Sequence, residues 1–238
     1  MMRTLPLEAA TLRALVTRRR TVLLVLLAAL PVLIALLGRI AGGAGDAEDL
    51  LGGSVVGVCL PLIALVFGVS ALGAELEDGT AVYFLVKPIP RWRIVLAKAA
   101  VAGGLTLALV LPATIVAGLI GRVSVADTVA FAVAVIGGGL AYTSLFVALS
   151  VLTTRALVLG LAYVLVWEGI LSGLLEGSLF LSIREATLAV AVEVSGSRFL
   201  DRSALDAPTA LLVLGAAILG GLALATVRLM DHEFKGGD

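Results

Sequence analysis

Residues 75–98 read ELEDGTAVYFLVKPIPRWRIVLAK. Three acids, Glu75, Glu77 and Asp78, lead into Gly79-Thr80, and a short apolar and aromatic run follows. Lys87-Pro-Ile-Pro-Arg91 closes that run before a second apolar stretch begins. Gly79 can break a helix and Thr80 can cap a new one. The spacing predicts a short amphipathic helix over residues 80–86 that presents Tyr83 and Phe84. Pro88 and Pro90 then act as rigid stops. Arg91, Arg93 and Lys98 are expected to anchor the chain again at the lipid headgroups. A plain solvated loop has no need of aromatics between two stops. The alternatives are an interfacial helix resting on lipid and a docking helix gripped by a partner.

On both sides of this interruption the chain is apolar. Sixty-one per cent of its 238 residues are hydrophobic, and its mean hydropathy is +1.15. That is well above the usual soluble composition. The excess lies in uncharged runs of the length, about 20 residues, that a helix needs to cross a bilayer core of about 30 Å. The expected fold is an all-α integral membrane protein forming one transmembrane domain over 1–238. Six transmembrane helices are expected at about 21–37, 53–72, 94–120, 128–152, 156–175 and 208–229. Residues 1–20 interleave Leu5, Leu7, Leu12 and Leu15 with Glu8, Arg13 and Arg18–Arg20, the pattern of an interfacial amphipathic helix. A signal peptide is the alternative for the first span, but its apolar run is longer than such segments carry. The polar segment 176–207 contains Ser182-Ile-Arg-Glu185, a capping-box pattern that starts a short external helix over 183–194. Ile183, Thr187, Val190 and Val194 would share its packed face.

An even number of spans puts both ends of the chain on one side. Twelve of the 17 basic residues fall on that side, together with the 75–98 loop and Arg155. Lys and Arg stay cytosolic, so both termini and the loop are expected in the cytosol of a multi-pass plasma (inner) membrane protein. Net charge is zero, and nothing calls for nucleic acid. The single Cys59 lies within a span, where it reads as a packing residue, and no metal site is expected.

No Gly-Lys dipeptide occurs, which excludes a P-loop of the GxxxxGK[ST] kind. The only histidine is His232, outside every span, so a Ser-His dyad within the membrane has no base. The chain is therefore expected to be non-enzymatic and to bind no cofactor of its own. One acid, Glu168, sits inside a span, roughly 18 Å from its Ala156 end by helical rise. Ionised and facing lipid it would cost about 3 kcal/mol. It is either part of a transport path or gate, or a structural hydrogen-bond acceptor for a neighbouring hydroxyl or indole. Beside it Gly169, Gly173 and Gly177 recur every fourth residue, the spacing of a close helix-packing face that could line a dimer seam.

The order Glu75, Glu77, Gly79, Thr80, Pro88, Ile89, Arg91 and Lys98, with Asp78 between Glu77 and Gly79, resembles the ATP-binding-cassette type-2 permease subunits. Their pattern is E-x-E-x-G-T, then P-[IV]-x-R and a lysine before span three. Trp167-Glu168-Gly169 and Leu181-Ser-Ile-Arg184 resemble members more loosely. The resemblance implies two permease copies, identical or siblings, above two cytosolic ATPase subunits that carry ATP and Mg. It also implies ATPase contacts at the N-terminal helix, at residues 80–86 and at the Thr153–Arg155 turn, with 176–207 as an external gate. The implied function is outward movement of an apolar or amphipathic cargo driven by that separate motor. The competing readings are a proton-coupled carrier using Glu168, and a scaffold or immunity protein that transports nothing.

Overall fold

The computed structural model describes residues 18–41, 48–77, 90–171, 181–196 and 205–231. They form α1 (Arg18–Ile40), a π-helical stretch π1 (Glu48–Cys59) that continues as α2 (Leu60–Glu77), α3 (Arg91–Ile120) and α4 (Val125–Leu152). Then come α5 (Ala156–Ala162), which continues as a second π-helical stretch π2 (Tyr163–Leu171), α6 (Ile183–Ser195) and α7 (Ala207–Asp231). No strand occurs among the described residues.

The helix ends follow local chemistry. The Ser124 hydroxyl accepts the Asp127 amide at 3.0 Å and opens α4. Ser182 accepts the Glu185 amide at 3.1 Å and opens α6. Gly196, at φ 61°, closes α6 in the left-handed conformation that glycine tolerates best. Pro61, which has no amide to donate, lies where π1 gives way to α2.

Among the described residues five helices are long and apolar enough to cross a membrane: Thr21–Ile40, Asp49–Gly73, Arg91–Ile120, Val125–Leu152 and Ala207–Met230. They bracket five of the expected spans. Between Leu152 and Leu181 the described chain offers a shorter apolar helix, Ala156–Gly169. The end of the expected fifth span, to residue 175, lies outside the described residues. So do the expected helix at 80–86 and residues 1–17 of the N-terminal helix.

Helix α4 is the hub. It packs against α2, α3, α6 and α7, and 61% of its span is buried, against 22% for α1 and for α7. Glycines set the close approaches. A Cβ on Gly68 of α2 would stand 2.8 Å from the Cβ of Phe146, and one on Gly221 of α7 would stand 2.7 Å from the Ser144 carbonyl oxygen. A Cβ on Gly138 would collide with the Thr187 hydroxyl of α6. Between membrane helices, which gain little from hydrophobic association in lipid, such backbone approach is a main source of packing.

Contacts along α4 order the bundle. Gly73 of α2 meets Ser150 near its C-terminal end, and Gly137 and Gly221 place α7 parallel to it. Ala35 of α1 lies beside Gly121, at the opposite end. Arg18 and Asp231 therefore sit at the same end of the bundle as the 77–91 junction. Helix α6 is not laid across the top. Thr187 meets Gly138 half-way along α4, and the Ser195 hydroxyl donates to Asp127 in the first turn of α4. Thus α6 lies along the half of α4 remote from Ser150, with its N-terminus pointing inward. Its packed face is Ile183, Ala186, Thr187, Ala189 and Ala191, and the expected Val194 is instead 48% exposed. The face turns because small alanines, not the larger valines, fit against the glycine seam.

In Gly221→Ala the new methyl meets immovable backbone, at a cost of about 1–3 kcal/mol. Gly215 in the same helix has nothing within 4 Å, and Gly215→Ala gains up to about 1 kcal/mol of helix propensity. Thermal unfolding in detergent should order the melting temperatures Gly215→Ala, parent, Gly221→Ala, and the reverse order would contradict this seam.

Candidate functional site

Glu168 sits in π2 and is 2% exposed. Its Oε1 accepts the Tyr163 hydroxyl at 2.9 Å, the Ile183 amide at 3.0 Å and, at a longer 3.4 Å, the Arg184 amide. Its Oε2 accepts the Ser182 hydroxyl at 2.5 Å. Ile183 and Arg184 are the first residues of α6, whose opening amides have no partner within their own helix. A carboxylate from another helix therefore caps α6, where the helix dipole also favours negative charge. Hydrogen bonds to a charged acceptor are the stronger kind.

The cap is deep. Tyr142, which shares this neighbourhood, lies roughly 26 Å along α4 from Val125. Tyr142 is fully buried, and its hydroxyl faces Glu168, Tyr163 and Arg184. Nε of Arg184 is also buried and unpartnered. The Arg184 guanidinium lies over Gly57 of π1, with Nε 3.4 Å from where a Cβ would be, and its Nη1 is 4.0 Å from Glu185. Both π-helical stretches thus border the cluster, and π-helix is rare and recurs at functional sites.

A second constellation occupies the Ser150 end of the bundle. Lys98 is 1% exposed, and its Nζ donates to the Ala71 carbonyl at 2.9 Å. The expectation that Lys98 rests among headgroups is overturned. It lies about 10 Å inside α3, turned inward against α2. Its ammonium bridges the helix that enters the 78–89 segment and the helix that leaves it. A lysine seven residues past Arg91 looks like a headgroup anchor in linear order, and only the α2–α3 pairing shows the carbonyl it reaches.

The other expected residues divide by location. Glu75 and Glu77 lie in the last turns of α2. Pro90, exposed at φ −62° and ψ 132°, precedes α3, which Arg91 opens. Arg155 lies in the turn between α4 and α5, where its amide donates to the Thr153 hydroxyl at 3.2 Å. The α2–α4 and α2–α3 contacts bring these residues to one end of the bundle, away from Glu168. Gly79, Thr80, Tyr83, Phe84 and Pro88 lie outside the described residues, as do Gly173 and Gly177. Gly169 is exposed, and among the described residues the atom near its absent side chain is the Val164 carbonyl oxygen of its own helix at 3.7 Å. Sequence reasoning missed Tyr142 and placed Lys98 at the headgroups instead of against α2.

Among the described residues no three His, Cys, Asp or Glu side chains cluster as metal ligands. The described residues form a multi-span apolar helical bundle of the kind that crosses a membrane, with polar groups set for packing and capping. Residues 9–234 match the family described as ABC-2 family transporter protein, and the chain belongs to that family. It is thus a membrane permease subunit of an ABC-type system. No curated protein matches it.

Ser182→Ala removes both an N-cap and a donor to the carboxylate, and should cost about 1–2 kcal/mol. Glu168→Leu leaves the α6 amides bare in a dry site and should cost more, about 2–4 kcal/mol. Hydrogen exchange at the α6 amides should accelerate in that order while α3 amides keep their protection. Equal protection in all three proteins would refute the cap.

Proposed function

We propose that this permease subunit works in an ATP-driven exporter, in which two cytosolic ABC ATPase subunits drive a pair of permease chains. The observation that carries this reading is the 75–91 segment. Of its E-x-E-x-G-T and P-I-x-R elements, Glu75 and Glu77 end one helix and Arg91 opens another, and Lys98 ties those two helices together at the same end as Arg155. Glu75, Glu77, Gly79, Thr80, Tyr83, Phe84, Pro88, Pro90, Arg91 and Arg155 form the coupling surface in this proposal. Tyr83 and Phe84 enter a cleft of the ATPase, and both termini are cytosolic in the plasma (inner) membrane. The N-terminal segment rests on lipid headgroups. The second permease copy or sibling packs along the fifth helix, where Gly169, Gly173 and Gly177 allow close approach. The cargo is apolar or amphipathic, in keeping with the scarcity of polar groups along the spans.

In the same proposal α6 is the outer gate and Glu168 its latch. The packed face of α6 is mostly alanine, which buries little apolar area, so polar bonds at its two ends carry much of its attachment. Elements held in this way lie at the low-stability end of a fold. The carrier alternative asks Glu168 to exchange protons with water, yet both its oxygens are bonded and it is 2% exposed.

Co-expressed with its cognate ABC ATPase, the chain should purify as a complex with transport-coupled ATPase activity. The double change Tyr83→Asp, Phe84→Asp should lower that activity at least tenfold, measured as phosphate release in proteoliposomes, without changing the amount of permease. An intact complex with unchanged activity would refute the coupling role.

A further inference from the structure

At the end of the bundle that carries the 75–91 segment, α3 and α7 part. Trp92 and Leu96 of α3 face Leu222, Ala223 and Val227 of α7 across a groove of about 330 Å³. By helical rise the groove runs about 6–8 Å along both helices, in the direction in which they cross the bilayer. Its lining is apolar. Thr226 brings a hydroxyl, but that hydroxyl already donates to the Leu222 carbonyl of its own helix at 2.7 Å. The inside of the groove therefore suits hydrocarbon lying along the bilayer normal. Its mouth is different. Trp92 stands there in the first turn of α3, half-exposed, at the edge of a span where indoles favour the headgroup level. Arg91 and Arg93 flank it in sequence, and the Arg93 guanidinium lies 5.1 Å from the centre of the Trp92 ring. Arg93 is exposed and forms no ion pair among the described residues. No side chain caps the start of α3, so the helix dipole adds to the positive potential at the mouth.

We propose that this groove binds an anionic phospholipid from the leaflet at that end, with one acyl chain along Leu96 and Leu222 and the phosphate on Arg93. Shape and charge together select this occupant. The groove is narrow and apolar along its length and cationic at its mouth alone, which is the polarity of one lipid molecule. A zwitterionic lipid brings an ammonium beside its phosphate and so gains less from Arg93, whereas a lipid of net negative charge keeps the full attraction. A helix of a second copy would have to bring an acid to Arg93, but a phosphate arrives on the same molecule whose tail fills the groove. The inference stands apart from the exporter reading, because it needs neither an ATPase nor a cargo.

The chain has two tryptophans, so Trp167→Phe leaves Trp92 as the one indole reporter, placed inside the site. The full chain is reconstituted alone in phosphatidylcholine vesicles, and part of the lipid is replaced by phosphatidylglycerol or phosphatidylcholine brominated along the acyl chains. Quenching of Trp92 emission then reports which lipid occupies the groove. Phosphatidylglycerol should be preferred about fivefold, the effect of one nearby cation, and raising the salt should erode that preference. Arg93→Gln should abolish the preference. Arg228→Gln, on the opposite side of α7 from the groove by helical spacing, should leave it intact. Ala223→Leu fills the groove and should lessen quenching by both lipids. Native mass spectrometry, which needs no change at Trp167, should find phosphatidylglycerol retained by the parent and lost from Arg93→Gln. Equal quenching by the two lipids, or a preference that survives Arg93→Gln or falls equally in Arg228→Gln, overturns the inference. So does a Trp92 shielded from both lipids, which would mean that a second chain or the chain's own terminus covers the groove.

Discussion

A helix that starts inside a membrane opens with amides that neither its own turns nor water can satisfy. Each such group costs several kcal/mol in hydrocarbon. Helix α6 starts in this way, its first residue facing the interior and its last tied to Asp127 at the far end of α4. Glu168 resolves the difficulty, and the same bond resolves a second one, because a carboxylate in a span is itself costly when unpaired. Neither group is tolerable alone. The pairing of π2 with α6 is therefore fixed by mutual need.

The path that α6 takes depends on α4. A helix carrying Gly137, Gly138 and Gly139 at its middle and Ser144 and Ser150 toward its end has a surface of shallow relief. Alanines of α6, Gly68 of α2 and Gly221 of α7 can all approach its backbone. Thr187 illustrates the compromise. Its hydroxyl returns to its own Ile183 carbonyl at 2.7 Å, so a polar residue enters the tightest crossing without an unmet bond. Lys98 applies the same economy near the other end of the bundle by donating to Ala71.

Much of the architecture was legible in the linear chain, for definable reasons. Uncharged runs mark five spans, because burial in lipid leaves little freedom of composition. Ser182 and Glu185 announce a helix start, because capping is local. Glu168 stood out as a costly acid, but the three partners on α6 are 14 to 16 residues away across an intervening segment, beyond any periodicity. Lys98 misled because a lysine near the end of a span usually reaches outward, and its acceptor, 27 residues back, follows from helix pairing alone. Tyr142 carried no signal, since one tyrosine in an apolar run is ordinary. Val194 failed because helical spacing identifies a face but not which residues along it the neighbouring helix will admit.

The order in which Glu168 and its cap are synthesised has a consequence for biogenesis. Glu168 leaves the ribosome before Ser182, Ile183 and Arg184, with Tyr163 already made and α4 already complete. At roughly 5–20 residues per second, those donors follow it by on the order of one to three seconds. During that interval the fifth helix carries an incompletely solvated carboxylate, which disfavours its release into lipid. The segment is thus inclined to linger at the insertion machinery or at the aqueous interface until α6 emerges. The last third of the chain would then enter the bilayer as one cooperative unit.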